Sequence, residues 1–244
     1  RMLSEAFQTA LRVIYPPRCV ACGAMVESDF GLCASCWRDT PFITGLTCDL
    51  CGVPLPGEDP GEPVHCDACR KIARPWSKGR AVMLYDAQGR KLVLGLKHGE
   101  RHEVARPAAL WLTRAAQGLI EPDTLITPVP LHWGRFLKRK FNQSAVLAEA
   151  MARNAGLAYC PDLLRRHRVT ESLKGKTHDA RFHTLQGAIT PNPAQADRAK
   201  GRPVLIIDDV MTSGATFASA TEAAYAAGAR DVCVLALARV ARDT

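Results

Sequence analysis

Residues 204–216 read V-L-I-I-D-D-V-M-T-S-G-A-T. Four consecutive apolar residues, Val204, Leu205, Ile206 and Ile207, lead into two adjacent acids, Asp208 and Asp209, and then into small and hydroxylated residues around Gly214. A short apolar run followed by turn residues and then helix formers predicts a buried strand, a turn and a helix start. Two carboxylates at the end of a strand repel each other and are costly to desolvate, so at the carboxyl edge of a sheet they point to a ligand that receives them. In the loop, the backbone amides of Thr212, Ser213, Gly214, Ala215 and Thr216 converge at a helix N-terminus. Gly214 is free to take positive φ, and the three hydroxyls stand close by, an arrangement that suits a phosphate dianion. Acids that accept hydrogen bonds from sugar hydroxyls, a few residues from a phosphate cradle, describe a ribose 5-phosphate site. The plainer alternative is a strand-to-helix turn capped by Ser213 or Thr212.

Outward from this stretch, strands alternate with helices. Strands are predicted over 80–85, 125–129, 204–207 and 231–238, and helices over 88–97, 102–117, 142–154 and 215–227. Such alternation predicts an α/β fold, a parallel sheet with helices on both faces. Cys160 and Cys233 read as core thiols. A second chemical cluster, P-V-P-L-H-W-G-R over 128–135, leaves the carboxyl end of its strand, and Lys138, Arg139 and Lys140 precede Phe141, Asn142 and Gln143. Clustered cations at that edge suit the diphosphate of the same ligand. Residues 164–181, with Arg165, Arg166, Arg168, Lys174, Lys176 and Arg181, read as a mobile basic loop at the mouth of the site, and 190–201 as an exposed linker.

Upstream lie eight of the chain's ten cysteines, in four C-x-x-C pairs: Cys19/Cys22, Cys33/Cys36, Cys48/Cys51 and Cys66/Cys69. Each pair forms a knuckle with both sulfurs on one tetrahedral ion, and two knuckles close a structural site, so four pairs predict two zinc ions. Sequential pairing, with Cys19, Cys22, Cys33 and Cys36 on one ion and Cys48, Cys51, Cys66 and Cys69 on the other, costs less closure entropy than an interleaved arrangement, which the spacing also allows. Residues 1–18 read as an amphipathic helix with Met2, Leu3, Ala6, Phe7, Ala10, Leu11 and Ile14 on one face, 19–72 as the double zinc ribbon, and 80–244 as the α/β domain. A boundary is predicted over 70–79, where charge mixes with breakers.

The 244 residues carry a formal charge of +8, which two zinc sites of four thiolates each would bring to about +4. The basic balance favours acidic partners. Aromatic residues make up only 6% of the chain, so stacking platforms for single-stranded nucleic acid are sparse, and Trp37, Trp76, Trp111 and Trp133 read as packing residues. No apolar run reaches the length of a membrane span. Paired cysteines without a secretory signal predict a reducing compartment, and hence a cytoplasmic protein.

The acid pair, four intervening residues, Gly214, one residue and Thr216 resemble the 5-phosphoribosyl 1-diphosphate motif of type I phosphoribosyltransferases. With the paired cysteines, Tyr85, the L-K-H-G run at 96–99, P-V-P-L-H at 128–132 and F-N-Q at 141–143, the chain is similar nearly throughout to the ComF-type proteins. In that family a zinc ribbon segment precedes a type I phosphoribosyltransferase domain. The resemblance implies that Asp208 and Asp209 hold the ribose hydroxyls and act in catalysis, and that Met211, Thr212, Ser213, Gly214, Ala215 and Thr216 hold the 5-phosphate. It adds Lys97, Pro130, Leu131, Arg135, Arg139 and Lys140 to the diphosphate side, with magnesium as the second metal. The sequence departs from the family where Lys140 replaces a glycine and Leu173 a glutamine. The implied activity is magnesium-dependent phosphoribosyl transfer to an unidentified acceptor. The alternative is a single-stranded DNA-binding factor of natural transformation, partnered with a DNA-uptake machinery and using the fold as scaffold or ligand sensor.

Overall fold

In the computed structural model, residues 17–26, 31–97, 102–131, 142–167 and 188–241 are described. The predicted helix at the N-terminus falls almost wholly outside them. So do Trp133, Arg135, Arg139 and Lys140, and the part of the basic loop over 168–181.

Two short helices sit in the cysteine-rich part, α1 (Ala34–Asp39) and α2 (Asp67–Lys71). The sheet begins with β1 (Lys78–Leu84), followed by α3 (Ala87–Lys97), α4 (His102–Ala115), β2 (Leu125–Pro128), α5 (Gln143–Ala155) and β3 (Ala158–Tyr159). Strands β4 (Leu164–Arg166) and β5 (Ile189–Pro191) form a separate antiparallel pair, after which come β6 (Pro203–Met211), α6 (Ala215–Ala226) and β7 (Asp231–Arg239). The main sheet has the order β1-β7-β6-β2-β3 with every pairing parallel. Strands β6 and β7 lie at its centre, and their unbroken apolar runs are those of strands buried on both faces.

Alternation along the central strands sorts side chains into two cores. Leu205, Ile207, Leu235 and Leu237 face Leu92, Leu112 and Leu147 of α3, α4 and α5. Val204, Ile206, Val232 and Val234 face Phe217, Ala220 and Ala224 of α6. The alanine-rich inner face of α6 lets helix and sheet approach closely.

The cysteine-rich segment divides between the same two cores. Cys19, Val20, Leu32 and Cys36 join Val82 and Met83 on one face, whereas Cys48, Cys51, Cys69 and Trp76 join Ala81 and Phe217 on the other. Residues 41–43, between the two cysteine clusters, cover the free edge of β1: Ile43 donates to Val82 O at 2.9 Å and Leu84 to Pro41 O at 2.9 Å. Pairing of this kind blunts an otherwise exposed strand edge.

Three expectations are corrected. Strand β6 does not stop at Ile207 but carries both acids and runs to Met211, because Asp208, Val210 and Met211 keep their register with Ala236, Ala238 and Arg239 of β7. Residues 190–201 are not an exposed linker: Thr190 belongs to β5, and Asn192 and Ala199 are buried. Asn192 Nδ2 donates to Asp162 O at 2.8 Å and its backbone amide to Leu163 O at 2.8 Å. Residues 164–166, read as the start of a mobile loop, are strand β4, anchored by buried Leu164. Trp76 and Trp111 are buried as expected, while Trp37 is 40% exposed and rests against Phe42 at 4.6 Å.

Candidate functional site

The acids sit where the sheet opens. Strand β2 pairs with β6 from Leu125 to Pro128, opposite Val204 to Ile207, and ends there. A last amide, Val129 N, donates to Ile207 O at 2.9 Å. Beyond that point β6 is paired, among the described residues, only with β7, which puts Asp208 and Asp209 at the carboxyl edge between strands whose connections leave to different sides, the place where α/β sheets open a crevice for a ligand.

The second motif closes on the same point. Asn142 is the N-cap of α5: its side chain accepts from Ser144 N at 3.1 Å, while its Nδ2 donates to Val129 O at 3.1 Å. This clamp aims the start of α5 at the acids, and Ser144 Oγ donates to Asp208 Oδ1 at 2.7 Å. Asp208 Oδ1 also accepts from the Asp209 amide at 2.9 Å. Burial, reinforced by the adjacent Asp209 carboxylate, pushes the Asp208 carboxyl up to about 7 despite those two hydrogen bonds. Neighbouring Gln143 is buried, with its Nε2 unpartnered among the described residues.

The phosphate-type loop follows. Gly214 has φ 83° and ψ 1°, is the N-cap of α6 and offers no side-chain cap, so the first-turn amides of the helix lack intrahelical partners. Ser213 Oγ accepts from Ala215 N at 3.3 Å. The loop carbonyls are held on its outer side: Arg239 Nη1 donates to Thr212 O at 2.8 Å, and Arg74 Nη1 to Ser213 O at 2.8 Å. In a planar trans peptide the N–H points opposite the C=O. Fixing those two carbonyls therefore turns the Ser213 and Gly214 amides to the inner side, where an anion would meet them together with the α6 N-terminus.

The two cysteine clusters form as sequential sets, Cys19, Cys22, Cys33 and Cys36, then Cys48, Cys51, Cys66 and Cys69, with the sulfurs of each set within 4.8 Å of one another. Cys22 and Cys33 Sγ lie 3.8 Å apart, and Cys51 and Cys66 Sγ 3.7 Å. A tetrahedron with zinc–sulfur bonds of ~2.3 Å has edges of ~3.8 Å, so both sets fit zinc. The knuckle turns close through Gly23 N to Cys19 O at 2.8 Å and Gly52 N to Cys48 O at 2.9 Å.

Of the predicted ligand residues, the structure gathers Asp208, Asp209 and the loop from Met211 to Thr216 at one edge. Pro130 and Leu131 follow β2 after Val129 and are half-buried. Lys97 is the last residue of α3, and its side chain, like Arg135, Arg139 and Lys140, lies outside the described residues. Sequence reasoning missed Ser144, Arg74 and Arg239. Arg239 had a signal, a cation closing an unbroken apolar strand. Arg74 had none in its breaker-rich segment.

Residues 10–70 match the family model of the double zinc ribbon domain. The chain is 31% identical over 219 residues to the DNA utilization protein YhgH of Salmonella typhimurium, covering 87% of this chain and 92% of that protein. It is 25% identical over 229 residues to competence protein F of Haemophilus influenzae, covering 91% and 96%. Among solved structures, the glutamine phosphoribosylpyrophosphate amidotransferase of B. subtilis, complexed with ADP and GMP, aligns with a TM-score of 0.39 and 17% identity, over 59% of this chain and 30% of that one. No helix among the described residues is long and apolar enough to cross a membrane.

Proposed function

The chain belongs to the ComF-type family of YhgH and competence protein F, and from that premise we propose that it binds 5-phosphoribosyl 1-diphosphate with magnesium and transfers the phosphoribosyl group to an acceptor. The observation that carries this reading is the pairing, on one strand-to-helix corner, of Asp208 and Asp209 with a loop whose amides face inward beside Gly214. In this reading the loop from Met211 to Thr216 receives the 5-phosphate, and the carboxylates accept from the ribose 2- and 3-hydroxyls. Lys97, Pro130, Leu131, Arg135, Arg139 and Lys140 serve the diphosphate. Oxygen donors from one or two carboxylates plus substrate phosphates are the usual setting of Mg²⁺, so the acid pair fits the ion, which when bound offsets the charge of the leaving diphosphate. The reaction breaks the bond between C1 of ribose and the diphosphate oxygen, and the acceptor forms its bond to C1. Positive charge developing on the ring is stabilised by Asp208 and Asp209, and Ser144 holds the first of these in place.

Calorimetric titration with 5-phosphoribosyl 1-diphosphate and magnesium tests the site. Wild type gives heat that Asp209→Ala abolishes, and equal or absent heat in both proteins rejects the assignment. Release of diphosphate in the presence of nucleobases or ammonia separates transfer from binding alone.

A second reading is favoured by the names of the relatives, one a DNA utilization protein and the other a competence protein. It has the chain handle single-stranded DNA, with a DNA-uptake machinery as protein partner. A gel-shift series against salt tests it: phosphate-dominated binding falls steeply with salt, and no shift at low salt removes the reading.

A further inference from the structure

The second zinc ribbon touches the ligand loop through two arginines. A cleft of about 950 Å³ separates that ribbon from the carboxyl ends of β1, β6 and β7, and Arg74, Arg239, Thr212 and Ser213 line it. Both arginines span from cluster to loop. Arg74 donates from Nε to Cys69 Sγ at 3.4 Å and from Nη1 to Ser213 O at 2.8 Å. Arg239 donates from Nη2 to Cys51 Sγ at 3.8 Å and from Nη1 to Thr212 O at 2.8 Å and Met211 O at 3.3 Å.

Neither guanidinium is free to wander. Arg74 lies over the Trp76 ring at 5.4 Å, and Trp76 meets Phe217, in the first turn of α6, edge to face at 6.2 Å. Arg239 is 7% exposed and also donates to Val240 O at 2.5 Å. A planar guanidinium offers donors in a fixed fork, so holding one arm on a sulfur fixes where the other arm reaches. A zinc ion with four thiolates carries a net charge of about −2 and locks the sulfurs in place, so each fork has a rigid anionic anchor at one end and a loop carbonyl at the other. The first cluster has no such bridge to the loop among the described residues.

We propose that the second zinc site positions the ligand loop, with Arg74 and Arg239 as the positioning residues that carry its geometry to the Met211–Gly214 peptides. The ribbon then acts as part of the binding site, and loss of its metal loosens the phosphate cradle before it unfolds the sheet. For what the loop receives, the inference rests on the phosphoribosyl diphosphate reading above. The strut itself does not need that reading.

The test uses the full zinc-loaded chain and the variants Arg74→Gln and Arg239→Gln, with Arg230→Gln as a control, since Arg230 pairs with Glu121 on the far surface. Metal analysis is expected to return two zinc per chain in all of them. Amide hydrogen exchange over 212–217 is expected to quicken about tenfold in Arg74→Gln and to stay at the wild-type rate in Arg230→Gln. Affinity for 5-phosphoribosyl 1-diphosphate is expected to fall about tenfold in Arg74→Gln. Coupling between sites is reciprocal, so in cobalt-substituted protein the ligand shifts the thiolate-to-cobalt absorption of wild type and shifts that of Arg74→Gln less, since Arg239 still joins Cys51 to the loop. An arginine that only supports folding does not produce that difference. Because Arg239 is buried and its variant is at risk of misfolding, the half-buried Arg74 decides the outcome. Wild-type loop exchange in a fully metallated Arg74→Gln overturns the strut. Quickened exchange in a series where wild type binds no ligand upholds the strut and overturns the phosphoribosyl reading instead.

Discussion

Asp208 sets stability against the proposed binding role: its buried charge costs the fold stability, while the proposed ligand requires that charge. Burial first and the Asp209 charge second push it up to about 7. A carboxyl whose pKa is higher folded than unfolded holds its proton more tightly in the native state. Below the unfolded value of ~4 both states are protonated and nothing is lost, whereas stability falls as pH rises from there through about 7, and the full penalty stands above it. Asp208→Asn is therefore expected to raise the Tm of the ligand-free protein at pH 8 by about 5 °C, by less than half of that at pH 5, and to abolish ligand binding. Calorimetric unfolding at the two pH values checks it, and an equal gain at both removes the assigned titration. A ligand that needs the carboxylate binds more tightly as pH rises through 7. Ser144→Ala withdraws the hydrogen bond that favours the ionised form and is expected to move that midpoint upward, as read from affinity against pH.

At the scale of elements, β1 is where sheet and ribbon meet. The knuckle at Cys48 and Cys51 lies on the backbone of β1: Gly79 N donates to Asp49 O at 2.8 Å, and Arg80 pairs with Asp49 at 2.6 Å. Gly52 has φ 69°, and a Cβ there would stand 2.6 Å from Ala81 N. Both the backbone conformation and a contact that only backbone movement relieves oppose any side chain. Gly52→Ala is expected to cost about 2–4 kcal/mol, seen as a fall in Tm and weakened zinc retention, whereas Gly45→Ala, also at positive φ but in open space, costs about 1 kcal/mol. The parallel sheet, its helices and the four cysteine pairs were legible in the sequence, since each rests on period, spacing or apolar runs, whereas which pairs share a site was settled only by the fold, because the spacing allows an interleaved arrangement as well. The end of β6 was not legible, because carboxylates disfavour strands and nothing local reveals that β7 continues to pair with them. Strands β3, β4 and β5, of two or three residues each, are too short for a period. At the site, Asp208, Asp209 and the glycine loop were legible from spacing, while Ser144, Arg74 and Arg239 act through partners 64, 139 and 27 residues away, which no local pattern encodes.

For the whole molecule, the metal sites are part of the hydrophobic cores. Cysteines of the first cluster pack with Val82, Leu112 and Leu237, and those of the second with Val234 and Phe217, so the two ribbons brace opposite faces of one sheet. Structural zinc contributes its binding free energy to folding. Stripping it removes that contribution from both faces and leaves cysteine side chains in the cores without the ion that orders them. A strong chelator is therefore expected to lower the Tm of the whole chain by more than 10 °C within one cooperative calorimetric transition that includes the sheet. The sheet is followed through Trp76 and Trp111, both buried in these cores. If their signal melts at the metal-loaded temperature while only the ribbons lose structure, sheet and ribbons are energetically independent. Restoring about two zinc per chain is expected to return the original transition. With one equivalent, occupancy of the second cluster alone recovers the slow exchange of the loop over 212–217, because the path from metal to loop runs through Cys51, Cys69 and the two arginines.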